Sequence, residues 1–394
     1  MSGRRAIVPA LGALTALVWA CAEPRPTEAV VPKVASRPAP PPSVAPEPPR
    51  APPPKPTTTL VSGNTICALT RGKLACPAQR GSAEPFAETQ DLFDHAVSAA
   101  QGRDFSCVAL ADGHVRCAGG NTFAQLGAGI AEPEPQGPTP VVGLEKVRAV
   151  RSGPFTACAI HTDGTLSCWG KNQHGESGSD TQYLDDARAL SLPERVSGLR
   201  DVVDVAITWQ SACALTSSHE AFCWGTDVWS REGEPTARKN VRPTRVPLLD
   251  GATAIVANES AMCATLEKGL VCLGSLMMLT AREGRSNRLE VPLEGARSVC
   301  LGANHACAVD RRGGVVCFGS GSEGQLGYAV PRSTYEAQRP MRVEKLPPAV
   351  EVACGSSATC ATTEGGETYC FGRFSYGSEE SPSPATPRKI RLPE

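Results

Sequence analysis

The chain has 394 residues, with 39 Lys plus Arg against 40 Asp plus Glu and a formal net charge of −1, so it carries no basic excess for a nucleic-acid backbone. Aromatic residues make up only 5%, which excludes a core built mainly from large rings, while 38 Gly, 35 Pro and 17 Cys describe a chain rich in turns and sulfur.

In chain order the first element is a targeting segment. Arg4 and Arg5 precede a mostly apolar run from Ala6 to Trp19, too short to span a bilayer as a stable helix, which reads as an export signal over 1–20. The run ends in Val18-Trp19-Ala20-Cys21, which looks like a bacterial lipobox with Cys21 as the lipidated residue, although Trp19 is unusual there. Cleavage by an ordinary signal peptidase after Ala20 or Ala22, giving a secreted soluble protein, is the alternative. Either route delivers the chain to an oxidising compartment where disulfides persist. Ala22 stands where an Asp would resemble an inner-membrane retention signal, so the expected location is the outer membrane or cell envelope.

Residues 21–56 read as the lipidated Cys and a linker. Fourteen of the thirty-five residues from 22 to 56 are Pro, so this stretch is expected to form a disordered stalk of polyproline II character.

From residue 57 to 394 the chain repeats. Seven cysteine pairs recur, Cys67/Cys76, Cys107/Cys117, Cys158/Cys168, Cys213/Cys223, Cys263/Cys272, Cys307/Cys317 and Cys360/Cys370, with successive pairs beginning 40, 51, 55, 50, 44 and 53 residues apart. Each brackets a hairpin. Asp112-Gly113 and Asp163-Gly164 mark three-residue turns at a spacing of ten, and Arg71-Gly72 a two-residue turn at a spacing of nine. For Cys263/Cys272, also nine apart, the expected loop is the four-residue Leu266-Glu267-Lys268-Gly269. Loop length and spacing change together, which keeps the two sulfurs opposite each other and within disulfide reach. Zinc ligation would call for shorter CxxC spacing and His partners.

Around each hairpin, Cys-x-Gly closes six of the seven units, and a further Gly follows eight residues on in four of them, at Gly127, Gly178, Gly233 and Gly327. A β-rich segment ending in Gly precedes the hairpin, as in Val147-Arg-Ala-Val-Arg-Ser-Gly153. A strand led by Pro follows it, at Pro140, Pro193, Pro243 and Pro387. Four short strands per unit and seven units predict an all-β fold, a seven-bladed β-propeller of four-stranded antiparallel blades. The segment from Pro387 to Leu392 either completes blade 7 or pairs with blade 1 near Thr57 to Gly63. Cys300 and Cys354 lie outside the hairpin scheme, at sites offset by one on equivalent strands of units 6 and 7. They therefore point to opposite faces of adjacent blades, which predicts a Cys300–Cys354 disulfide between those blades.

Phrases such as Gly153-Pro-Phe-Thr-Ala-Cys-Ala-Ile-His-Thr-Asp-Gly-Thr-Leu-Ser-Cys-Trp-Gly170 and Gly321-Ser-Glu-Gly-Gln-Leu-Gly327 resemble the repeats of the regulator of chromosome condensation family, a seven-bladed propeller. The resemblance is strong in units 2, 3, 6 and 7, fades in units 1 and 5, and looks most like a cysteine-rich bacterial branch of exported repeat proteins. The founding member's nucleotide exchange on a small GTPase is not carried over, because no matching site residue stands in this chain.

Catalytic signatures are sparse. Gly319-Ser-Gly-Ser-Glu-Gly324 matches GxGxxG after a strand-like stretch, but the following Gln325-Leu-Gly-Tyr-Ala-Val-Pro331 opens no helix, so blade-turn geometry is the reading. His95, His114, His161, His174, His219 and His305 are scattered over different units, and no cofactor, metal or catalytic residue is expected. Trp169, Trp224, Phe318 and Phe371 stand between Cys and Gly in their hairpins and are expected in the inter-blade core. Tyr183, Trp209, Trp229, Tyr328 and Tyr335, in or beside the long connecting segments, are the candidate binding residues. The expected function is a non-enzymatic scaffold, monomeric, binding a protein or a glycan partner and touching the membrane through its anchor alone. A glycan-active enzyme with axial carboxylates and a secreted enzyme-inhibitor-like propeller are the alternatives.

Overall fold

A computed structural model describes residues 58–76, 93–130, 136–179, 189–226, 239–274, 288–330, 338–374 and 385–392. All of them lie in one compact unit, Pro53–Glu394. They form seven antiparallel sheets in which each strand pairs with its neighbours in sequence. Six sheets have four strands, and the first has three among the described residues, Thr58–Val61, Cys67–Thr70 and Lys73–Ala75. The first strands of successive blades pack on one another, Ala96–Gln101 on Val147–Ser152, Ser298–Leu301 on Ala349–Cys354 and Thr58–Val61 on both Ala96–Gln101 and Ala349–Cys354, which closes the sheets into a propeller ring. The signal segment, Cys21 and the Pro-rich linker lie outside the described residues.

The hairpin register places the cysteines opposite one another. Cys107 pairs with Cys117, Cys158 with Cys168, Cys213 with Cys223, Cys263 with Cys272, Cys307 with Cys317 and Cys360 with Cys370. With Cys67–Cys76, seven disulfides join hairpin residues whose Cα atoms are 4.0 to 4.3 Å apart. That is the separation of a directly opposed antiparallel pair without ladder hydrogen bonds between its members. In the ten-residue units a three-residue turn closes the hairpin, with Leu110 N donating to the His114 carbonyl and Gly113 at φ +85°. One expectation is corrected. Leu266 pairs with Gly269, so the loop of blade 5 is the two-residue Glu267-Lys268 and matches blade 1, where Thr70 pairs with Lys73. Spacing nine therefore always means a two-residue loop in this chain.

Because side chains alternate across a strand, both sulfurs of a hairpin point to one face of their blade. That face meets the next blade. The Cys107–Cys117 bridge shares a buried cluster with Trp169 of blade 3, Cys158–Cys168 with Trp224 of blade 4, Cys263–Cys272 with Phe318 of blade 6, and Cys307–Cys317 with Phe371 of blade 7. Between blades 4 and 5 the aromatic position is Leu273, which packs with Cys213 and Cys223. The residue after the second hairpin cysteine is thus a wedge driven against the preceding blade's sulfurs, and all four aromatic wedges are fully buried. The extra bridge, Cys300–Cys354, crosses from blade 6 to blade 7 with a Cα separation of 5.4 Å.

The outer strands revise a second expectation. Pro140 ends the strand Gln136–Pro140, and Pro193 and Pro243 lie inside Ala189–Arg195 and Lys239–Arg245, so of the four only Pro387 leads its strand, Arg388–Ile390. They are the fourth strands, with one edge unpaired, and there a residue lacking N–H loses no ladder bond and discourages pairing with another chain. The ladder between third and fourth strands also shifts register between Cys and Gly, at Cys117/Gly119, Cys168/Gly170, Cys223/Gly225 and Cys317/Gly319. The last strand, Arg388–Ile390, pairs with Thr368–Arg373 and so completes blade 7.

Closure between blades 7 and 1 therefore rests on side-by-side packing and hydrogen bonds. Leu60, Ile66 and Ala68 of blade 1 bury against Ala353, Ala358 and the Cys360–Cys370 bridge. Gly63 N donates to the Cys354 carbonyl, Ser356 N to the Asn64 carbonyl, and Cys354 N to Ser62 Oγ. At a matching point of other junctions Ser98 Oγ accepts from Val150 N and Ser298 Oγ from Val352 N, and at this seam Glu351 Oε2 accepts from Leu60 N. Burial there pushes the Glu351 carboxyl up to about 7, against a partial lowering by the Leu60 N–H.

Two outcomes are expected. Replacing Cys158 and Cys168 together by Ser lowers the unfolding free energy by roughly 2–3 kcal/mol in urea denaturation, the loop-closure value for a loop of about ten residues. A raised carboxyl pKa gives stability that is complete below the ordinary carboxylate value and declines as pH rises through about 7. Glu351→Gln therefore leaves acidic stability nearly unchanged and raises stability at pH 8 by about 3 kcal/mol relative to the parent. Parallel pH profiles for the two proteins would contradict this.

Candidate functional site at the axial mouth

Each first strand runs out through a short turn into the second strand, and these turns meet at one end of the ring. Residues from all seven blades line a cavity of about 430 Å³ there, among them Ser62, Gln101, Ser152, Ile207, Asn258, Leu301 and Ser356. Backbone bonds tie neighbouring turns together, Arg103 N to Pro154 O, Trp209 N to Glu259 O, Ala303 N to Ser356 O and Ser356 N to Asn64 O. The third strands, antiparallel to the second, end on the same face of the ring, so the segments that follow them, such as 120–130 and 320–330, lie beside the mouth.

On the side of blades 2 to 5 the rim carries an aromatic and charged ridge. Phe123 and Phe155 have ring centroids 4.9 Å apart, and Phe155 meets Trp209 at 5.1 Å and 84°, an edge-on contact. All three rings are half-buried. The Arg103 guanidinium lies 5.7 Å from the Trp209 ring centroid and the Lys171 ammonium 5.5 Å, both within cation–π range. Arg103 Nη1 also sits 3.5 Å from Glu259 Oε1, with both side chains about half exposed, so one ion pair spans from blade 2 to blade 5. These residues come from separate turns on a rigid frame, the arrangement in which recognition groups are held without belonging to one continuous segment.

Beneath the ridge lies a fully buried salt bridge. Lys171 Nζ donates to Glu176 Oε1 at 2.7 Å and to the Trp209 carbonyl at 3.0 Å, while Glu176 Oε2 accepts from His174 N at 2.7 Å. Units 2 and 6 explain its origin. Gln125 and Gln325 occupy the equivalent place, and their Oε1 atoms accept from Phe123 N and Glu323 N in the same way. The backbone carbonyl at this position receives the next blade's wedge, from Trp169 Nε1 onto Gln125, from Trp224 Nε1 onto Glu176, and from Thr359 Oγ1 onto Gln325 where Phe371 has no donor. Two residues on, Gly127 adopts φ +65°, and a Cβ there would come within 2.9 Å of the Trp169 indole. The same approach recurs at Gly178 to Trp224 and at Gly327 to Phe371, which accounts for the glycine eight residues beyond Cys-x-Gly in these three units.

The five candidate binding residues separate. Trp209 is at the rim. Tyr328 is half-buried, donates its hydroxyl to the Cys317 carbonyl at 3.2 Å, packs against the core between blades 6 and 7, and is pushed up to about 12 by burial, so the structure gives it a packing role. Tyr183, Trp229 and Tyr335 lie outside the described residues, as do Cys21 and Gly233. Sequence reasoning missed Arg103, Phe123, Phe155 and Glu259. Arg103, Phe155 and Glu259 share a signal of position, since each falls two or three residues after the end of a first strand, inside the turn to the second.

His305 is fully buried, with Nε2 on Thr359 Oγ1 at 2.9 Å, and burial lowers it to about 4. It gathers with Cys307 and Cys354 closely enough to hold a metal, but both sulfurs are bridged, which leaves no thiolate to ligate one. His161 is held between the Glu145 carbonyl and Ser167 Oγ, each at 2.9 Å.

Seven consecutive antiparallel sheets around an axial cavity, each bridged through its central hairpin, define a disulfide-braced β-propeller. Its repeats are those of the regulator of chromosome condensation (RCC1) family, whose models match residues 312–362 and residues 96–125, 147–176 and 296–325. Those stretches fall in units 2, 3, 6 and 7. The chain is 26% identical over 325 residues to the E3 ubiquitin-protein ligase HERC2 of Homo sapiens, covering 78% of this chain and 7% of that protein. It is 26% identical over 260 residues to the RCC1 domain-containing mitochondrial protein RUG3 of Arabidopsis thaliana, covering 59% of this chain and 55% of that one. The chain thus spans a small fraction of the first relative and about half of the second. Human WBSCR16 has the same fold, with a TM-score of 0.64 at 18% identity over 82% of this chain and 93% of that chain. So does Prp20p of Saccharomyces cerevisiae, at 0.61 and 18% over 77% of each.

The buried pair gives a test of the repeat logic. Lys171→Ala leaves Glu176 charged and unpartnered and is expected to destabilise by about 3–5 kcal/mol in urea unfolding. Lys171→Ser with Glu176→Gln, the arrangement of Ser320 and Gln325 in blade 6, recovers most of that loss.

Proposed function

We propose that this protein is a non-enzymatic scaffold that binds a protein partner through the turn face of its propeller and is held at a bacterial cell envelope by a lipid on Cys21. The observation that carries the binding reading is the Arg103–Trp209–Phe155–Phe123 ridge, where half-buried rings and a half-exposed guanidinium stand on turns braced by seven hairpin disulfides. Aromatic and Arg side chains held rigidly give up little conformational freedom on association and supply most of the energy of protein interfaces. Prp20p is a protein whose binding to Gsp1p and histones has been studied, which supports protein binding by this fold in general and names no partner for this chain. Among the described residues lining the axial cavity the carboxylate is Glu259, and it is paired with Arg103. Glycoside hydrolysis would call for two carboxylates placed across a bond, so the cavity supports binding over the glycan-active alternative.

Crosslinking of the full-length protein in its own membranes tests the reading. The expected result is a specific captured protein whose yield falls at least tenfold in Phe155→Ala/Trp209→Ala, with the melting temperature of the variant as the folding control. Undiminished capture by that variant would reject the ridge, and Trp229→Ala/Tyr335→Ala then reports on the long connecting segments. For the anchor, Cys21→Ser is expected to abolish incorporation of a labelled fatty acid and to move the protein from the membrane to the soluble fraction.

A further inference from the structure

We propose that the axial mouth is a binding site for a small carboxylate carrying further oxygen acceptors, of the size of an acidic monosaccharide, with Arg103 as the residue that takes the carboxylate. The inference goes beyond protein binding by the rim and shares Arg103 with it.

Two lining amides turn their acceptors to the protein, Gln101 Oε1 taking Thr65 N at 3.3 Å, and Asn258 Oδ1 taking Ser260 N and Ala261 N at 2.9 and 2.8 Å. Backbone N–H groups can only donate, which fixes which end of the Gln101 and Asn258 amides is oxygen. The Asn258 NH2 group is also spent, on the Gly302 carbonyl at 2.7 Å. The NH2 group of Gln101 makes none of these bonds, and Ser152 Oγ, which can donate or accept, is buried without a hydrogen-bond partner. A ligand oxygen that bonds Ser152 Oγ removes a buried unpaired polar group, and the Gln101 NH2 group favours an acceptor beside it.

Charge supplies one anchor. Arg103 is the cation of the lining, and its guanidinium has five N–H donors in a fork suited to a carboxylate. In the structure one of its nitrogens rests 3.5 Å from Glu259, a loose and half-exposed contact across the ring. Pairs of this kind contribute little and exchange readily. Glu259 is therefore a resident competitor that holds Arg103 over the cavity until an incoming carboxylate displaces it. About 430 Å³ accommodates one sugar ring with ordered water. Ile207 and Leu301 supply an apolar patch against which a ring face can rest.

Isothermal titration of the full-length protein with glucuronate, and with glucose as the neutral counterpart, tests the assignment. The expected result is glucuronate binding with a dissociation constant below roughly 1 mM and at least tenfold weaker binding of glucose. Arg103→Ala weakens glucuronate at least tenfold, and Arg103→Lys, which keeps the charge without the fork, falls between. Glu259→Gln removes the competitor and tightens binding severalfold, a gain that a merely structural role of the pair would not produce. Absence of glucuronate binding, equal binding of glucose, or an Arg103→Ala protein that titrates like the parent would each overturn the proposal.

Discussion

The structure depends on one constraint, that the two cysteines of every central hairpin face each other directly across the ladder. Direct opposition puts both sulfurs on the same face of the blade, and that face is the one each following blade packs against. The crosslink and the core are therefore the same atoms. A chain with 5% aromatic residues builds seven interfaces this way because a buried cystine is compact, apolar and already ordered by its hairpin. At five junctions Trp169, Trp224, Leu273, Phe318 or Phe371 then fills the remaining space, and where it is Trp, its N–H also reaches a backbone carbonyl of the preceding blade.

From that interface the functional end of the ring follows. The carbonyl that receives the indole belongs to Gln125 or Glu176, whose side chain in turn orders the turn before it. In blade 3 the change from Gln to Glu brings a charge inside. Lys171 answers it and uses its remaining reach to hold the Trp209 carbonyl. A substitution in the packing layer thus sets the position of an aromatic ring at the rim. The mouth inherits its rigidity from the blades and its chemistry from turn residues that packing leaves unconstrained.

The fold was legible because a disulfide between opposed residues ties spacing to loop length, and both can be read along the chain. The Cys300–Cys354 bridge was legible for a related reason, since an offset of one on equivalent strands dictates opposite faces. Trp169, Trp224, Phe318 and Phe371 declared themselves by recurring at one repeat position. Proline misled: inside an outer strand it looks like a strand start, because a strand with one free edge tolerates it and an inner strand does not. In blade 5 the Gly at the end of the loop took part in the ladder, which pattern alone does not distinguish from a loop residue. The candidate site was the least legible part. Arg103 and Glu259 stand in turns three blades apart, and their meeting is a product of ring closure that no local spacing records. Lys171 and Glu176 carried a signal that a unit-by-unit comparison with Gln125 and Gln325 would have exposed. Tyr328 sits in a connecting segment yet turns its hydroxyl onto its own blade, so loop membership alone did not predict exposure.

The final strand belongs to its own sheet, so blades 2 to 7 are each woven from a single uninterrupted stretch of chain. Among the described residues none of these sheets borrows a strand from the opposite terminus. Such a ring can gain or lose a unit by duplication or deletion of one contiguous gene segment, without orphaning a partner elsewhere. The units of this chain have the independence that such growth requires, and the divergence of blades 1 and 5 from the common pattern is what separately drifting copies would leave behind.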